Sequence, residues 1–218
     1  PLTWDTIKKS PEDKARAALP DPELVRANFS WETAQTFVDG LPGGGLNICY
    51  EALDRHVEGG RADQRAMRWL GQDGTTRDFT YTQLLEGASR FAGVLAQHGI
   101  GKGDRVFSMM GRTPDVYFAA LGTLRAGAVF TPLFSAFGPE PVRMRMEIGA
   151  ASALITTETI YRRKIASWRS EIPSLKLILI VGDDAPEGKL EWSREESEAM
   201  IEELRIGLEV ASSPLVDI

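Results

Sequence analysis

The fold follows from residues 106–133, VFSMMGRTPDVYFAALGTLRAGAVFTPL, where two apolar stretches flank a segment of helical character. The apolar stretches predict strands at residues 106–110 and 128–133. Between them, Thr113 and Pro114 are typical of an N-cap and of the first position of a helix. Strands that are apolar on both faces and joined by a helix indicate a parallel sheet that is covered on both sides.

The same alternation continues towards the C-terminus. Two further strands are predicted at residues 152–156 and 175–181. Helices are predicted from Pro139 to near Gly149, through Tyr161, Ile165 and Trp168, and at residues 193–204. The pattern therefore predicts an α/β fold, a mostly parallel sheet with helices on both faces and right-handed crossovers.

The helical periodicity also predicts which faces are buried. In the helix that ends at Gly127, the expected core residues are Tyr117, Ala120, Leu121 and Leu124. In a helix at residues 48–57 they are Ile48, Ala52, Leu53 and Val57. In a third helix, which ends at Gly99, they are Leu84, Ala88, Phe91 and Leu95. The last of these helices begins at a capping box formed by Thr80 and Gln83. Just before it, the pair Asp73-Gly74 lies between residues 66–70 and 77–80 and predicts a hairpin turn.

Residues 1–45 form a heterogeneous N-terminal extension. Ser10 and Pro11 predict the start of a short helix, and residues 29–37 predict a second one. The three glycines at residues 43–45 invite comparison with a phosphate-binding loop, but no apolar strand precedes them and no Gly-Lys-Ser/Thr follows. We therefore interpret them as a flexible connection.

Composition excludes several classes of function. Among the 218 residues, 43% are hydrophobic and 26% are charged, which is ordinary for a globular protein, and the net charge of −6 argues against nucleic acids or anionic membranes as partners. The one cysteine, Cys49, leaves no intrachain disulfide and indicates a reducing compartment. Because the chain contains only this cysteine and two histidines, a structural zinc site is not expected. The sequence contains no apolar run of transmembrane length, so we expect a cytoplasmic protein.

In open parallel sheets, ligands bind beyond the carboxyl ends of the strands. The segments that follow the four predicted strands are GRTP at 111–114, FSAFGPE at 134–140, TTETIYRRK at 156–164 and GDDAPEGK at 182–189. In the second of them, Gly138 precedes a helix whose first N–H groups can receive an anion.

Two of these segments contain residues with more than one interpretation. Phe134 and Phe137 either cap the core beneath their loop or lie against a flat ligand. In the third segment, the basic residues at 162–164 either contact a phosphate or form a solvated helix face, the latter favoured by the spacing of Glu158 and Arg162. Both alternatives stay open on these residues alone.

Other polar residues are interpreted as structural. His56 and His98 have no nearby serine or cysteine that suggests a catalytic triad. Asp104 and Arg105 are interpreted as residues of a turn and of the start of a strand.

The ordered set of motifs resembles the N-terminal part of the adenylate-forming acyl-CoA ligases, in the branch that contains acetate–CoA ligase. The set consists of N-x-x-Y-E-A-x-D-R-H from Asn47, T-Y at 80–81, G-D-R-V at 103–106, G-A-V at 127–129 and F-x-x-F-x-P-E from Phe134. The resemblance spans about residues 28–185. It implies that residues 46–218 are an incomplete part of the AMP-binding N-terminal domain.

The resemblance also implies an activity. Members of this family use ATP, with Mg²⁺, to convert a carboxylic acid into an acyl-adenylate, from which the thiol of CoA displaces AMP. The family's Ser/Thr/Gly-rich phosphate loop that ends in Pro-Lys does not occur in these 218 residues, and the initiator methionine is missing. We therefore expect the N-terminal part of a longer ligase, inactive by itself and prone to self-association, with no catalytic residue, no metal ligand and no tightly bound cofactor. The alternative is a separate α/β module that binds a nucleotide or a partner without catalysis.

The site residues implied by the resemblance are on the CoA side. Phe134, Ser135 and Ala136 match the stretch that borders the CoA nucleotide and pantetheine. The family usually has two glycines in this stretch, and this chain has Ser135 and Ala136 in their place. Arg162 matches an arginine that approaches the 3′-phosphate of CoA. The second arginine of that pair is Ile165 in this chain, so its contact is weaker or is supplied by Arg163 or Lys164.

Overall fold

The computed structural model describes residues 8–17 and 21–181, and the predictions for residues 182–189 and 193–204 lie outside this part of the chain. The described residues form two compact units that divide after Asp39. The proposed domain boundary between residues 45 and 46 stays a prediction.

The first unit contains three short helices: α1 (Pro11–Ala15), α2 (Pro22–Asn28) and α3 (Trp31–Gln35). Ser10 caps α1, as the sequence predicts, and it also forms a full capping box with Asp13. Helix α2 begins with Asp21 as the cap and a proline in the first turn, and it was not predicted from the sequence.

The second unit opens with a turn, and the flexibility expected of this connection stays a prediction. The N–H of Leu41 donates to the oxygen of Gly45 at 3.0 Å, and the glycines at 43–45 all have positive φ. Two π-helical segments follow, Tyr50–Asp54 and Val57–Arg61. The wider π turn shifts the buried face, so Ile48, which was predicted to be buried, is 57% exposed.

Strands β1 (Arg65–Leu70) and β2 (Thr76–Thr80) form the predicted antiparallel hairpin. Helix α4 (Tyr81–Gln97) begins at the predicted capping box of Thr80 and Gln83. Its predicted core face is confirmed, because all four of its residues are buried: Leu84, Ala88, Phe91 and Leu95.

A four-stranded parallel sheet forms the centre of the second unit. Its strands are β3 (Arg105–Met109), β4 (Val129–Pro132), β5 (Ala153–Thr157) and β6 (Leu177–Val181), in the order β4-β3-β5-β6. Helices α5 (Asp115–Arg125), α6 (Pro139–Ile148) and α7 (Glu158–Lys164) connect them, and a short 3₁₀ turn at Arg169–Glu171 precedes β6. The predicted α/β fold is confirmed.

Alternate residues of the strands are buried in two hydrophobic cores, one on each face of the sheet. On the first face, Val106 and Ile155 pack with residues of α4 and α5, such as Phe91 and Ala119. On the second face, Phe107, Met109 and Leu154 pack with Val142 and Met146 of α6. They also pack with Ile165 and Trp168, which follow α7 in the chain.

Helix α5 differs from its prediction in two respects. It begins one residue later than expected, with Pro114 as its cap, and the buried hydroxyl of Thr113 has no hydrogen-bond partner within the described part of the chain. The buried face is also rotated, because Tyr117 is 49% exposed while Ala119, Gly122 and Thr123 are buried. These small residues let α5 approach α4 closely: a Cβ on Gly122 would lie 2.6 Å from the oxygen of Ala88.

Candidate functional site

The order of the strands brings three loops to one edge of the sheet. Because β3 lies between β4 and β5, the loops that follow these strands are neighbours at their carboxyl ends. The chain leaves β3 for β4 on one side and returns to β5 on the other, so the strand order reverses here, which is where ligands bind in open α/β sheets. The hairpin contributes to this edge as well, since the indole of Trp69 donates to the oxygen of Arg112 at 2.7 Å.

The loop after β4, residues 134–138, is a tight turn. The N–H of Phe137 donates to the oxygen of Phe134 at 3.0 Å, which places Ser135 and Ala136 at the centre of the turn. Neither of these two residues has a positive φ, so the backbone does not require glycine at either position.

The two phenylalanines of this loop lie in different environments. Phe137 is half-buried against the second core, and the guanidinium of Arg145 lies 4.4 Å from the centre of its ring. Phe134 is 66% exposed and contacts Phe137 edge to face, with 5.6 Å between the ring centres. The structural role foreseen for Phe137 fits this packing, whereas the ligand role of Phe134 stays a prediction.

Lys164, at the C-terminal end of α7, binds the loop directly. Its ammonium donates to the oxygen of Ser135 at 2.7 Å and to that of Phe137 at 2.8 Å. From the sequence, Lys164 was identified only as a member of the basic cluster at residues 162–164. No spacing rule connects it to residues 27 and 29 positions earlier, so no signal in the sequence reveals this contact.

The other basic residues of α7 lie at the surface. Arg162 is bound to Glu158, with its Nε 2.8 Å from a carboxylate oxygen, as the spacing of four predicts. The side chain of Arg162 is 72% exposed, and Arg163 is exposed too. Ile165 is fully buried in the second core, so it cannot replace the missing arginine. The structure therefore brings Lys164, rather than Arg162, to the loop at 134–138.

The start of α6 offers fewer N–H groups for an anion than the sequence predicts. Pro139 and Pro141 have no N–H, and the N–H of Val142 donates to the oxygen of Gly138. The N–H groups of Gly138 and Glu140 are left at this terminus.

The motif that begins at Asn47 holds the fold together. The buried side chain of Asn47 accepts hydrogen bonds from the N–H groups of Cys49 and Tyr50 and donates to the oxygen of Leu124 in α5. Asp54 accepts from one nitrogen of Arg125 at 2.9 and 3.0 Å. These bonds fix the π-helical segments against α5, so this part of the motif is structural.

Cys49 is placed where it is chemically inert. The residue is fully buried, and burial raises the pKa of its thiol to about 11, although the nearby Arg125 acts in the opposite direction. Because nucleophilic cysteines react as thiolates, Cys49 is not a candidate nucleophile.

The G-D-R-V motif connects two loops by hydrogen bonds. This agrees with the interpretation of Asp104 and Arg105 as residues of a turn and of the start of a strand. Asp104 accepts from the N–H of Gly101 at 3.0 Å and from the hydroxyl of Ser152 at 2.7 Å. Although partial burial raises the pKa of Asp104, these hydrogen bonds and the nearby charges of Lys176 and Arg105 lower it, and the net shift is downward. Arg105 donates to the oxygens of Gly149 and Ala150.

The predicted structural role of the histidines agrees with their contacts. A ring nitrogen of His98 lies 2.9 Å from the oxygen of Val94, and the ring of His56 packs against that of Tyr81. Within residues 8–17 and 21–181, no three acidic, histidine or cysteine side chains are close enough to hold a metal ion. No helix in these ranges is long and apolar enough to cross a membrane.

Comparison with known proteins identifies the family of this chain. Residues 53–213 match the model of the AMP-binding enzyme family. The chain is 32% identical over 183 residues to the acetyl-coenzyme A synthetase of Bacillus subtilis, covering 84% of this chain and 31% of the relative. It is 37% identical over 153 residues to the Drosophila melanogaster enzyme of the same name, covering 69% of this chain and 22% of the relative.

Among solved structures, the Brucella canis acyl-CoA synthetase matches with a TM-score of 0.68 and 27% identity, over 90% of this chain and 33% of that one. The chain thus spans a third or less of the length of these relatives. Since the family model matches most of the chain and the fold agrees, this chain belongs to the AMP-binding enzyme family, the adenylate-forming acyl-CoA ligases.

Proposed function

We propose that this chain forms the CoA-facing N-terminal part of an AMP-forming ligase that joins acetate, or another short- or medium-chain carboxylate, to CoA. In the first step a carboxylate oxygen attacks the α-phosphorus of ATP and pyrophosphate leaves. In the second step the thiol of CoA attacks the acyl carbon and AMP leaves. Family membership and the similarity to acetyl-coenzyme A synthetases support this proposal.

The observation that carries the proposal is the loop at residues 134–138. It lies at the carboxyl edge of the parallel sheet, beside the point where the strand order reverses. The side chain of Phe134 is 66% exposed at this point, so its ring is accessible to a flat ligand. In our proposal, Phe134 packs against CoA, and Ser135 and Ala136 border the same ligand.

Arg162 is the proposed partner of the 3′-phosphate of CoA. Its bond to Glu158 does not oppose this role, because an exposed pair of this kind stabilises a helix by only about 0.3–0.5 kcal/mol. A phosphate offers a guanidinium a stronger, bidentate partner. Arg163, which is exposed on the same helix, is the second candidate for this contact.

We infer that the 218-residue chain alone does not form adenylates, although ATP and Mg²⁺ serve the complete reaction. Its sequence lacks the Ser/Thr/Gly-rich loop that cradles the phosphates of ATP in the family. The carboxylate and CoA are small-molecule partners, and we place the reaction in the cytoplasm, without a nucleic-acid or membrane partner.

The test of this function uses two polypeptides. The 218-residue chain, given acetate, ATP and Mg²⁺, should show no exchange of labelled pyrophosphate into ATP. A polypeptide that continues this chain through the rest of the family's sequence should release AMP and pyrophosphate when CoA is added. Release of ADP instead, or exchange by the 218-residue chain, would contradict the proposal.

A further inference from the structure

We propose that Lys164 is a positioning residue that sets the orientation of the peptide groups in the loop at residues 134–138. The identity of the ligand that uses this loop rests on the proposed function, but the positioning role does not. The starting observation is the pair of bonds from one ammonium to the oxygens of Ser135 and Phe137, at 2.7 and 2.8 Å.

These two oxygens belong to alternate residues, and this has a geometric consequence. In a planar trans peptide group, the C=O and the N–H point in opposite directions, and the described residues contain no cis peptide bond. The oxygen of Ser135 points at Lys164, so the N–H of Ala136 points away from it. By the same argument, the N–H of Gly138 points away from Lys164 as well.

The two N–H groups are free to bind something else. Within the described part of the chain, neither Ala136 nor Gly138 donates its N–H to any acceptor. Each also belongs to a peptide group whose oxygen is bound to a cation, which polarises the group and strengthens its N–H as a donor. Lys164 thereby presents two donors on the side of the loop that faces away from Lys164, where the acceptor oxygens of CoA would bind.

The loop has few other anchors. Phe137 packs against the second core, and its N–H closes the turn onto Phe134. Ser135 and Ala136 are exposed, and the hydroxyl of Ser135 makes no hydrogen bond within the described residues. Lys164 is half-buried at the end of a helix whose position the buried Ile165 fixes, so its ammonium ties the loop to the rigid part of the domain.

The experiment compares Lys164→Met, which keeps the length of the side chain but removes the donor, with Lys164→Arg, which keeps a cationic donor. Lys102→Met is the matched control, because Lys102 is exposed and has no hydrogen-bond partner within the described residues. All are made in the 218-residue chain, and the order parameters of the backbone N–H groups at 135–138 are measured by NMR relaxation. CoA is then titrated into each protein.

For the backbone N–H groups at 135–138, we expect order parameters of about 0.85 in the unchanged chain and below about 0.6 in Lys164→Met. Lys164→Arg should lie nearer to the unchanged chain, and Lys102→Met should match it. The affinity for CoA should fall about tenfold in Lys164→Met, the factor that corresponds to the loss of about 1.4 kcal/mol. An equally rigid loop in Lys164→Met would overturn the proposal. Loosening of the loop without CoA binding to any of the proteins would support the positioning role and count against CoA as the ligand of this loop.

Discussion

Arg125 and Asp54 form an ion pair inside the second unit, with nitrogen–oxygen distances of 2.9 and 3.0 Å and side chains only 11% and 10% exposed. The pair joins the π-helical segment Tyr50–Asp54 to α5. Removing one partner from a buried pair leaves an uncompensated charge, which is far more destabilising than losing an exposed pair.

Asp54→Asn should therefore lower the free energy of unfolding by about 3 kcal/mol. Glu86→Gln is the control, because it removes one partner of the exposed pair with Arg90 and should change stability by less than about 0.5 kcal/mol. Urea unfolding followed by circular dichroism measures both. Equal effects of the two substitutions would show that the buried pair has no special role.

The contact between α4 and α5 depends on the absence of a side chain at Gly122. A Cβ there would lie 2.6 Å from the oxygen of Ala88 and 2.7 Å from the Cβ of Phe91, and backbone atoms cannot easily move aside. Gly122→Ala should destabilise the chain by about 1–3 kcal/mol. Gly93→Ala, in α4, meets no atom within 4 Å and should stabilise by about 0.5–1 kcal/mol, because alanine favours a helix more than glycine does. Thermal unfolding measures both, and destabilisation by Gly93→Ala would contradict the packing described.

Burial of Cys49 makes stability depend on alkaline pH. The pKa of its thiol is raised from 9.0 to about 11, chiefly by burial. Below pH 9 the thiol is neutral in both states, whereas between pH 9 and 11 the unfolded chain loses its proton first, so stability falls as the pH rises. The loss reaches about 2–3 kcal/mol at pH 11.

Cys49→Ala removes this contribution while leaving the other alkaline titrations in place. The difference in unfolding free energy between the unchanged chain and Cys49→Ala should be constant up to pH 8 and should shrink by pH 10.5. A difference that is independent of pH over this range would mean that the thiol titrates alike in the folded and unfolded states.

Much of the fold could be predicted because its signals are local. The strands of the parallel sheet are short apolar runs between turn residues, and the capping box of Thr80 and Gln83 marks the start of α4. The errors arose where the backbone departs from the regular period. The π-helical turns displaced Ile48 from the core, and the close approach of α5 to α4 selected small residues rather than Tyr117 for the buried face.

The candidate site could be predicted only in part, for a different physical reason. Topology placed the loop with Phe134 at the ligand edge, because the carboxyl ends of parallel strands meet there. The contact of Lys164 with that loop depends on tertiary packing between segments that are distant in the sequence. The difference between Phe134 and Phe137 likewise follows from which ring faces the core beneath the loop.

Exposed apolar side chains predict self-association. Strand β4 is an edge of the described sheet, and Val129 on it is 49% exposed. Val129→Lys should lower the apparent mass in light scattering at high protein concentration, because a charge on an edge strand blocks pairing. Ala96→Lys adds the same charge on the exposed part of α4 and should leave association unchanged. A monomeric unchanged chain at high concentration would refute this prediction.

The central claim is that the loop at residues 134–138 binds CoA, and titration of CoA into the 218-residue chain tests it most directly. We expect saturable binding, weaker binding of CoA that lacks the 3′-phosphate, and a loss of about tenfold in Phe134→Ala, since an aromatic ring stacked on a base contributes about 1–3 kcal/mol. Phe29→Ala, at another exposed phenylalanine, should bind CoA as the unchanged chain does. Equal affinities for CoA in the unchanged chain and in Phe134→Ala would contradict the claim.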